Sequence, residues 1–273
     1  MSDKSVPGRQ HLSNLEVLEA MKSEAEYYFG RTPGQVLVLS LTAGMFITLG
    51  ALFSILLSDG VTTPGIQVLL QGLGFSTGFF MVVLSRAALF TEANVILPVS
   101  LLQSGALDHF SVAIRFWLIA FIGNMLGAII LGQVIAFAQT YPESVSQGLQ
   151  KVVAKKMAYH DEGTVLAWFK IVASGMLGNG LIGMAAFFAT MGRTLIGKFV
   201  PVFLVVTLFV AGNLQHSPAN MGYFSLASAM GSGPDWVEAL TWSILPAAIG
   251  NILGGGLLVA LPFWYALSNR RKT

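Results

Sequence analysis

Four apolar stretches, Gly34 to Leu57, Phe110 to Ala138, Thr164 to Thr190 and Trp236 to Leu267, are each long enough to cross a bilayer as one helix. Such a crossing takes about 20 predominantly apolar residues for about 30 Å of hydrocarbon. Two more stretches are interrupted: Ile66 to Leu102 is broken at Ser85-Arg-Ala-Ala-Leu-Phe-Thr-Glu-Ala-Asn94, and Ile196 to Met230 at Val210-Ala-Gly-Asn-Leu-Gln-His-Ser-Pro-Ala-Asn-Met221. In hydrocarbon every backbone amide and carbonyl needs an internal partner, so breaks survive only where they pack in protein or line a cavity. Counting each broken stretch as one span predicts an all-α polytopic membrane protein of six transmembrane helices, with broken second and fifth helices.

Composition agrees. Of 273 residues, 54% are hydrophobic and 10% charged, against about a quarter charged in an average soluble domain. The lack of cysteine removes disulfides, thiolate metal sites and cysteine nucleophiles. A net charge of +2 spread over the loops offers nucleic acid no basic face. Between His11 and Tyr28 the residues Leu12, Leu15, Val17, Leu18, Met21, Ala25 and Tyr28 recur at roughly helical spacing among Glu16, Glu19, Lys22 and Glu24. That pattern predicts an amphipathic helix on the membrane surface, with docking of a soluble partner as the alternative. No apolar core with a small-residue cleavage site is visible in this region, so a removable signal peptide is not expected.

The expected division is residues 1–31, a cytoplasmic amphipathic helix; 32–268, the membrane domain; and 269–273, a basic cytoplasmic tail. Lys4, Arg9, Lys22, Arg31, Arg115, Arg193, Lys198, Arg270, Arg271 and Lys272 fall on one side of the six spans. The other side holds Lys151, Lys155 and Lys156, offset by Glu143, Asp161 and Glu162. The bias favours both termini inside.

The chain also echoes itself. Phe121-Ile-Gly-Asn-Met-Leu-Gly127 matches Ala248-Ile-Gly-Asn-Ile-Leu-Gly254 at an offset of 127, Leu89-Phe-Thr-Glu-Ala-Asn94 resembles Gln215-His-Ser-Pro-Ala-Asn220 at 126, and Gly44-Met45 matches Gly175-Met176 at 131. Each half holds three spans, an odd number, so the second half must enter the membrane with opposite orientation. The expected architecture is a 3+3 inverted repeat with one broken helix per half. Gly123, Gly127, Gly250, Gly254, Gly255 and Gly256 read as small-residue helix contacts.

In such a repeat the half-helix amino termini turn positive dipole ends toward a central cavity, and an anion is the natural guest. His216 is the one histidine deep in apolar sequence. A neutral imidazole can donate a hydrogen bond to a weak-acid anion and a protonated one can pass it a proton; the competing role is a structural histidine bonded to freed backbone. Thr91, in the first break, is placed to bond the same histidine or guest. Arg86 and Glu92 flank that break and either pair with each other or sit solvated near the interface. Asn179, in mid-span, needs a partner from another helix or from a pore, and Lys170 reads as a snorkelling lysine. Phe75, Phe79, Phe90 and Phe209 lie close to the breaks, where apolar rings would exclude hydrated ions. With only His11, His109 and His160 besides, a bis-histidine haem or histidine metal cluster lacks ligands, so no cofactor is expected and an enzyme is disfavoured.

Leu89-Phe-Thr91, Gly175-Met-Leu-Gly-Asn179 and His216-Ser-Pro-Ala-Asn-Met221 together resemble the formate/nitrite transporter family over essentially the whole membrane region. The resemblance implies an aquaporin-like protomer, a homopentamer with a pore in each protomer, and a bacterial inner (plasma) membrane location. It implies passive or proton-coupled passage of small monovalent anions or their conjugate acids: formate, nitrite, hydrosulfide, acetate or lactate. Carried over position by position, Thr91 matches the loop threonine, His216 the central histidine and Asn179 an asparagine near the pore. Phe75, Leu89, Phe90, Ile182 and Phe209 match the constrictions.

Three departures bear on substrate. Gln215 stands where the family commonly has glutamate, and Gly163 where it has a vestibule lysine, sixteen residues before Asn179; the nearest lysines, Lys156 and Lys170, are out of register. The first break also lacks an acidic residue just before Leu89-Phe-Thr91. A neutral glutamine needs no cationic partner, so losing both members of a pair is coherent. The alternative is a neutral small-solute channel of the water or glycerol type, although Ser-Pro-Ala-Asn stands at one break and no proline at the other.

Overall fold

The computed structural model describes residues 10–104 and 109–268. Lys4, Arg9 and the basic segment 269–273 lie outside the described residues.

Helix α1 (Asn14–Phe29) opens on a capping box in which the Ser13 and Glu16 side chains each bond the other's backbone amide. This satisfies donors that a helix start leaves orphaned. Its apolar stripe, Val17, Leu18, Met21, Ala25 and Tyr28, is buried. The covering surface is protein, chiefly helices α4 (Phe90–Ser104) and α7 (Val165–Met191). Sequence pattern alone gives the stripe but not its cover, so the surface helix expected from periodicity is here docked on the membrane domain. The Leu12 amide extends the docking by bonding the Met191 carbonyl at 2.9 Å.

The membrane domain starts with α2 (Pro33–Ser58), capped by Thr32 with proline in its first turn, and continues through α3 (Pro64–Ser85), α4 and α5 (Phe110–Ala138). After α6 (Glu143–Glu162) come α7, α8 (Leu195–Ala211) and α9 (Ser217–Ala229). The last span runs continuously from α10 (Trp236–Ala239) through a wide-turn segment Leu240–Ile244, α11 (Leu245–Leu253), a second wide-turn segment Gly254–Ala260 and α12 (Leu261–Ser268). Among the described residues five helices are long and apolar enough to cross a membrane: α2, α3, α5, α7 and Trp236–Leu267. The remaining predicted span is the α8–α9 pair, and α3 is followed by its shorter partner α4. The chain is an integral membrane protein. Helix α6 is not such a span; it carries Lys151, Lys155, Lys156, His160, Asp161 and Glu162 and ends at Gly163, whose φ of 62° is left-handed.

The repeated Ile-Gly-Asn-x-Leu-Gly marks the seam of each half. A Cβ on Gly127 would lie 2.1 Å from the Leu41 carbonyl oxygen, and one on Gly254 would lie 2.1 Å from that of Met176. Backbones touch at both places, α5 against α2 and the last span against α7. No larger residue fits there without moving a helix.

Candidate functional site

Each break is shorter than the sequence suggests: Arg86 to Leu89 in the first, Gly212 to His216 in the second. Helix α4 starts at Phe90, whose amide donates to Asn124 Oδ1 at 2.9 Å. Asn124 Nδ2 donates to the carbonyls of Ser40 and Ala88 at 2.8 and 3.0 Å. Helix α9 starts the same way. The Ser217 amide donates to Asn251 Oδ1 at 2.9 Å, and Asn251 Nδ2 donates to the carbonyls of Gly175 and Gln215 at 2.9 and 3.3 Å. Both asparagines are fully buried. Each accepts from the amide that starts the second half of a broken helix and donates to one carbonyl of the break, Ala88 or Gln215, as hydrocarbon demands, while its other donor hydrogen reaches a carbonyl of an unbroken neighbour, Ser40 of α2 or Gly175 of α7. In this bonding Phe90 corresponds to Ser217, one residue off the register of the sequence echo, so Thr91 does not stand opposite Ser217.

Sequence reasoning took the repeated motif for glycine packing and passed over Asn124 and Asn251. Their signal was present, because an amide repeated mid-span in both halves needs a repeated partner. Asn179 joins the two ends. Its Nδ2 donates to the Thr91 carbonyl at 3.2 Å and to the Asn251 carbonyl at 2.8 Å.

His216 is the N-cap residue of α9, and its Nδ1 accepts the Ala219 amide at 3.3 Å. A nitrogen that accepts carries no proton, so in the neutral ring the hydrogen sits on Nε2. That atom is enclosed and has no hydrogen-bond partner among the described residues. The ring lies 5.3 Å from the Phe209 ring, which stands 6.0 Å from Phe75. Phe75 stacks on Tyr223 at 5.8 Å, and the Tyr223 hydroxyl is 2.8 Å from Ser54 Oγ. Phe75, Phe209, Leu89 and Ile182 belong to one apolar cluster together with Phe79. Phe90, expected with them, packs in the other cluster, its ring edge-on to Phe121 at 5.3 Å.

Gln215 is buried and satisfied. Its Oε1 accepts Asn220 Nδ2 at 2.7 Å, and the same Nδ2 reaches Ser243 Oγ at 2.8 Å. Lys156, out of register in the sequence, is brought beside the second break by α6. Buried on α6, it donates to the Leu214 carbonyl at 2.7 Å and lies 5.8 Å from the Phe209 ring centre. Counting back sixteen residues reaches Gly163 and misses Lys156, because six further residues of α6 lie between them and the side chain comes back from that helix. Lys156 lines a cavity of about 80 Å³ with Gln71, Phe75, Lys155, Phe209 and Tyr223. Burial, and then neighbouring Lys155, lowers the Lys156 ammonium to about 7.

At the first break, Arg86 caps α3 in a left-handed conformation, φ 55° and ψ 36°. Of the two readings for Arg86 and Glu92, a mutual pair or solvation near the interface, the pair does not form, and the Arg86 side chain is 47% exposed. Arg86 is paired in bidentate fashion with Glu24 of α1, its Nε 2.9 Å from Oε1, and its guanidinium lies 4.0 Å over the Tyr27 ring. Glu92 lines a polar cavity of about 300 Å³ with Glu24, Tyr28, Arg86, Thr190 and Lys198. Lys170 is paired with Glu162 at 2.9 Å.

These features define a helical membrane protein of the channel or transporter class, with two interrupted helices pinned by buried asparagines beside an enclosed histidine. The chain belongs to the formate/nitrite transporter family, whose model matches residues 15–265. It is 30% identical over 259 residues to the formate channel FocA of Escherichia coli (strain K12), covering 87% of this chain and 88% of that protein. It is 27% identical over 271 residues to a probable formate transporter of Methanothermobacter thermautotrophicus, covering 94% and 98%. Among solved structures it is similar to a pentameric formate channel with formate bound, at a TM-score of 0.71 and 23% identity over 87% of this chain and 98% of that one. An FNT family ion channel matches at a TM-score of 0.76 and 22% identity, over 92% and 99%.

Proposed function

We propose that the protein is a passive or proton-coupled channel for small monovalent anions or their conjugate acids, formate first among them. It would work as a homopentamer in a bacterial inner membrane, with both termini cytoplasmic. The supporting observation is the His216 Nε2–H, which the Ala219 bond fixes as a donor and which no protein group occupies. An anion arriving past Lys156 would meet that donor beside the Phe209 ring. A bare anion in an apolar constriction costs many kcal/mol and its conjugate acid far less, so passage is as the acid, formate taking its proton from water, directly or through the His216 ring, which ends the transfer neutral. Formate uptake into proteoliposomes across a pH series tests this. Formate entry without glycerol-driven swelling is expected; glycerol swelling without formate entry would establish the neutral-solute channel instead.

Lys156 supplies the pH dependence at the mouth. With its ammonium at about 7, it is cationic below that pH and loses its charge as pH rises through it. The concentration of formate giving half-maximal uptake should therefore rise between about pH 6 and about pH 8. Lys156→Gln should raise the value at about pH 6 toward that of wild type at about pH 8, so that the part of the rise due to the ammonium is lost. An unchanged dependence in the variant would remove Lys156 from anion capture.

A further inference from the structure

The first break holds a polar side chain with no work assigned to it. Asn94, on α4, is fully buried, and neither Nδ2 nor Oδ1 meets a protein partner. One helical turn earlier, at the spacing that shares a face, Thr91 Oγ1 is also buried and unpartnered. Asn179, bonded to the Thr91 carbonyl through Nδ2, has its Oδ1 unpartnered as well. Gly255 lets the last span close against both α4 and α7 here, since a Cβ there would lie 2.5 Å from the Asn94 backbone carbonyl oxygen and 2.7 Å from Asn179 Nδ2.

Buried amides are bonded as a rule, and an exception needs a reason. The contrast with Asn220 supplies one. Asn220 donates to Gln215, five residues before it, and to Ser243. Five residues before Asn94 stands Leu89, which has nothing to accept with. Asn94 is thus left with two donor hydrogens and an acceptor.

We propose that Thr91, Asn94 and Asn179 form a hydrogen-bonding station in the first break for a small planar solute presenting one donor and one acceptor side by side, the neutral form of a carboxylic acid. The inference rests on the reading of this path as a conduit for formate, and names the species taken on this side of the constriction. Formic acid can donate its O–H to Asn94 Oδ1 and accept from Nδ2 through its carbonyl. Formate, which only accepts, would be held by Nδ2 and the Thr91 hydroxyl while its charge faced the Asn94 and Asn179 oxygens.

Formamide is the probe: it has the size and planarity of formic acid, sets N–H beside C=O, and does not titrate. Wild-type protein, Asn94→Leu and Asn94→Ser are compared in proteoliposomes. Formamide should inhibit wild-type formate uptake, and the inhibiting concentration should rise about tenfold or more in both variants. No inhibition of wild type, or equal inhibition of all three proteins, overturns the station. If wild type carries no formate, the channel reading fails on its own. Formamide-driven swelling then decides the station, supporting it if the rate falls with either variant and overturning it if both match wild type. The wild-type arm and the serine variant keep the test decisive should the leucine variant misfold.

Discussion

His216→Asn is expected to lower formate uptake by between tenfold and a hundredfold and to change its pH profile, while leaving the fold intact. The argument turns on the two ring nitrogens doing different work. Nδ1 caps α9 by accepting the Ala219 amide, and Nε2–H is free for a guest. Asparagine is among the best N-cap residues, so its side-chain oxygen can keep the first task. It is too short to reproduce a donor on the far side of the ring. A hydrogen bond to a charged group contributes about 1.5–3 kcal/mol, which is roughly one to two orders of magnitude in rate. His216→Phe loses both tasks and should also destabilise the protein by about 1 kcal/mol through the missing cap. Flux and thermal unfolding in detergent, measured side by side, separate the two. If His216→Asn keeps the wild-type pH profile, the histidine is a cap and no part of the transport mechanism.

Much of this was readable from residues, and the failures share a cause. The spans and both breaks were visible because length and hydropathy are local properties, and His216 stood out as a lone polar ring in apolar sequence. What could not be read was which segment returns to cover another. Lys156 was set aside on sequence spacing, yet α6 carries it to the Leu214 carbonyl, 58 residues away. Glu92, six residues on, is the one partner for Arg86 that local sequence offers, whereas α1 brings Glu24 from 62 residues back. Asn124 and Asn251 were in plain view within the repeat. Glycine packing accounted for the motif, so the amide between the glycines was not asked for its partners.

The largest loss of stability is expected from Asn251→Leu, a change of similar volume that leaves several polar atoms without partners. The Ser217 amide and hydroxyl and the carbonyls of Gly175 and Gln215 all bond this side chain. Each buried group left unsatisfied costs about 1–3 kcal/mol, so even the low end sums to a large part of the ~5–15 kcal/mol that holds a typical domain. Asn251→Asp should fall less far, because it keeps the acceptor for Ser217 and loses only the donors. Asn124→Leu strips three groups in the first break, the Phe90 amide and the carbonyls of Ser40 and Ala88, and should rank close behind. The effects of these sites should not be independent. Asn179 bonds the carbonyl of Thr91 and the carbonyl of Asn251 with one amide nitrogen, so whatever lets Asn251 move also releases the residue that ties the second break to the first. Asn179→Leu combined with Asn251→Leu should therefore destabilise by less than the two single changes added together. Simple additivity in that double-mutant cycle would mean that the breaks are held separately, and an Asn251→Leu protein with wild-type unfolding temperature would mean that its hydrogen bonds are not what closes α9.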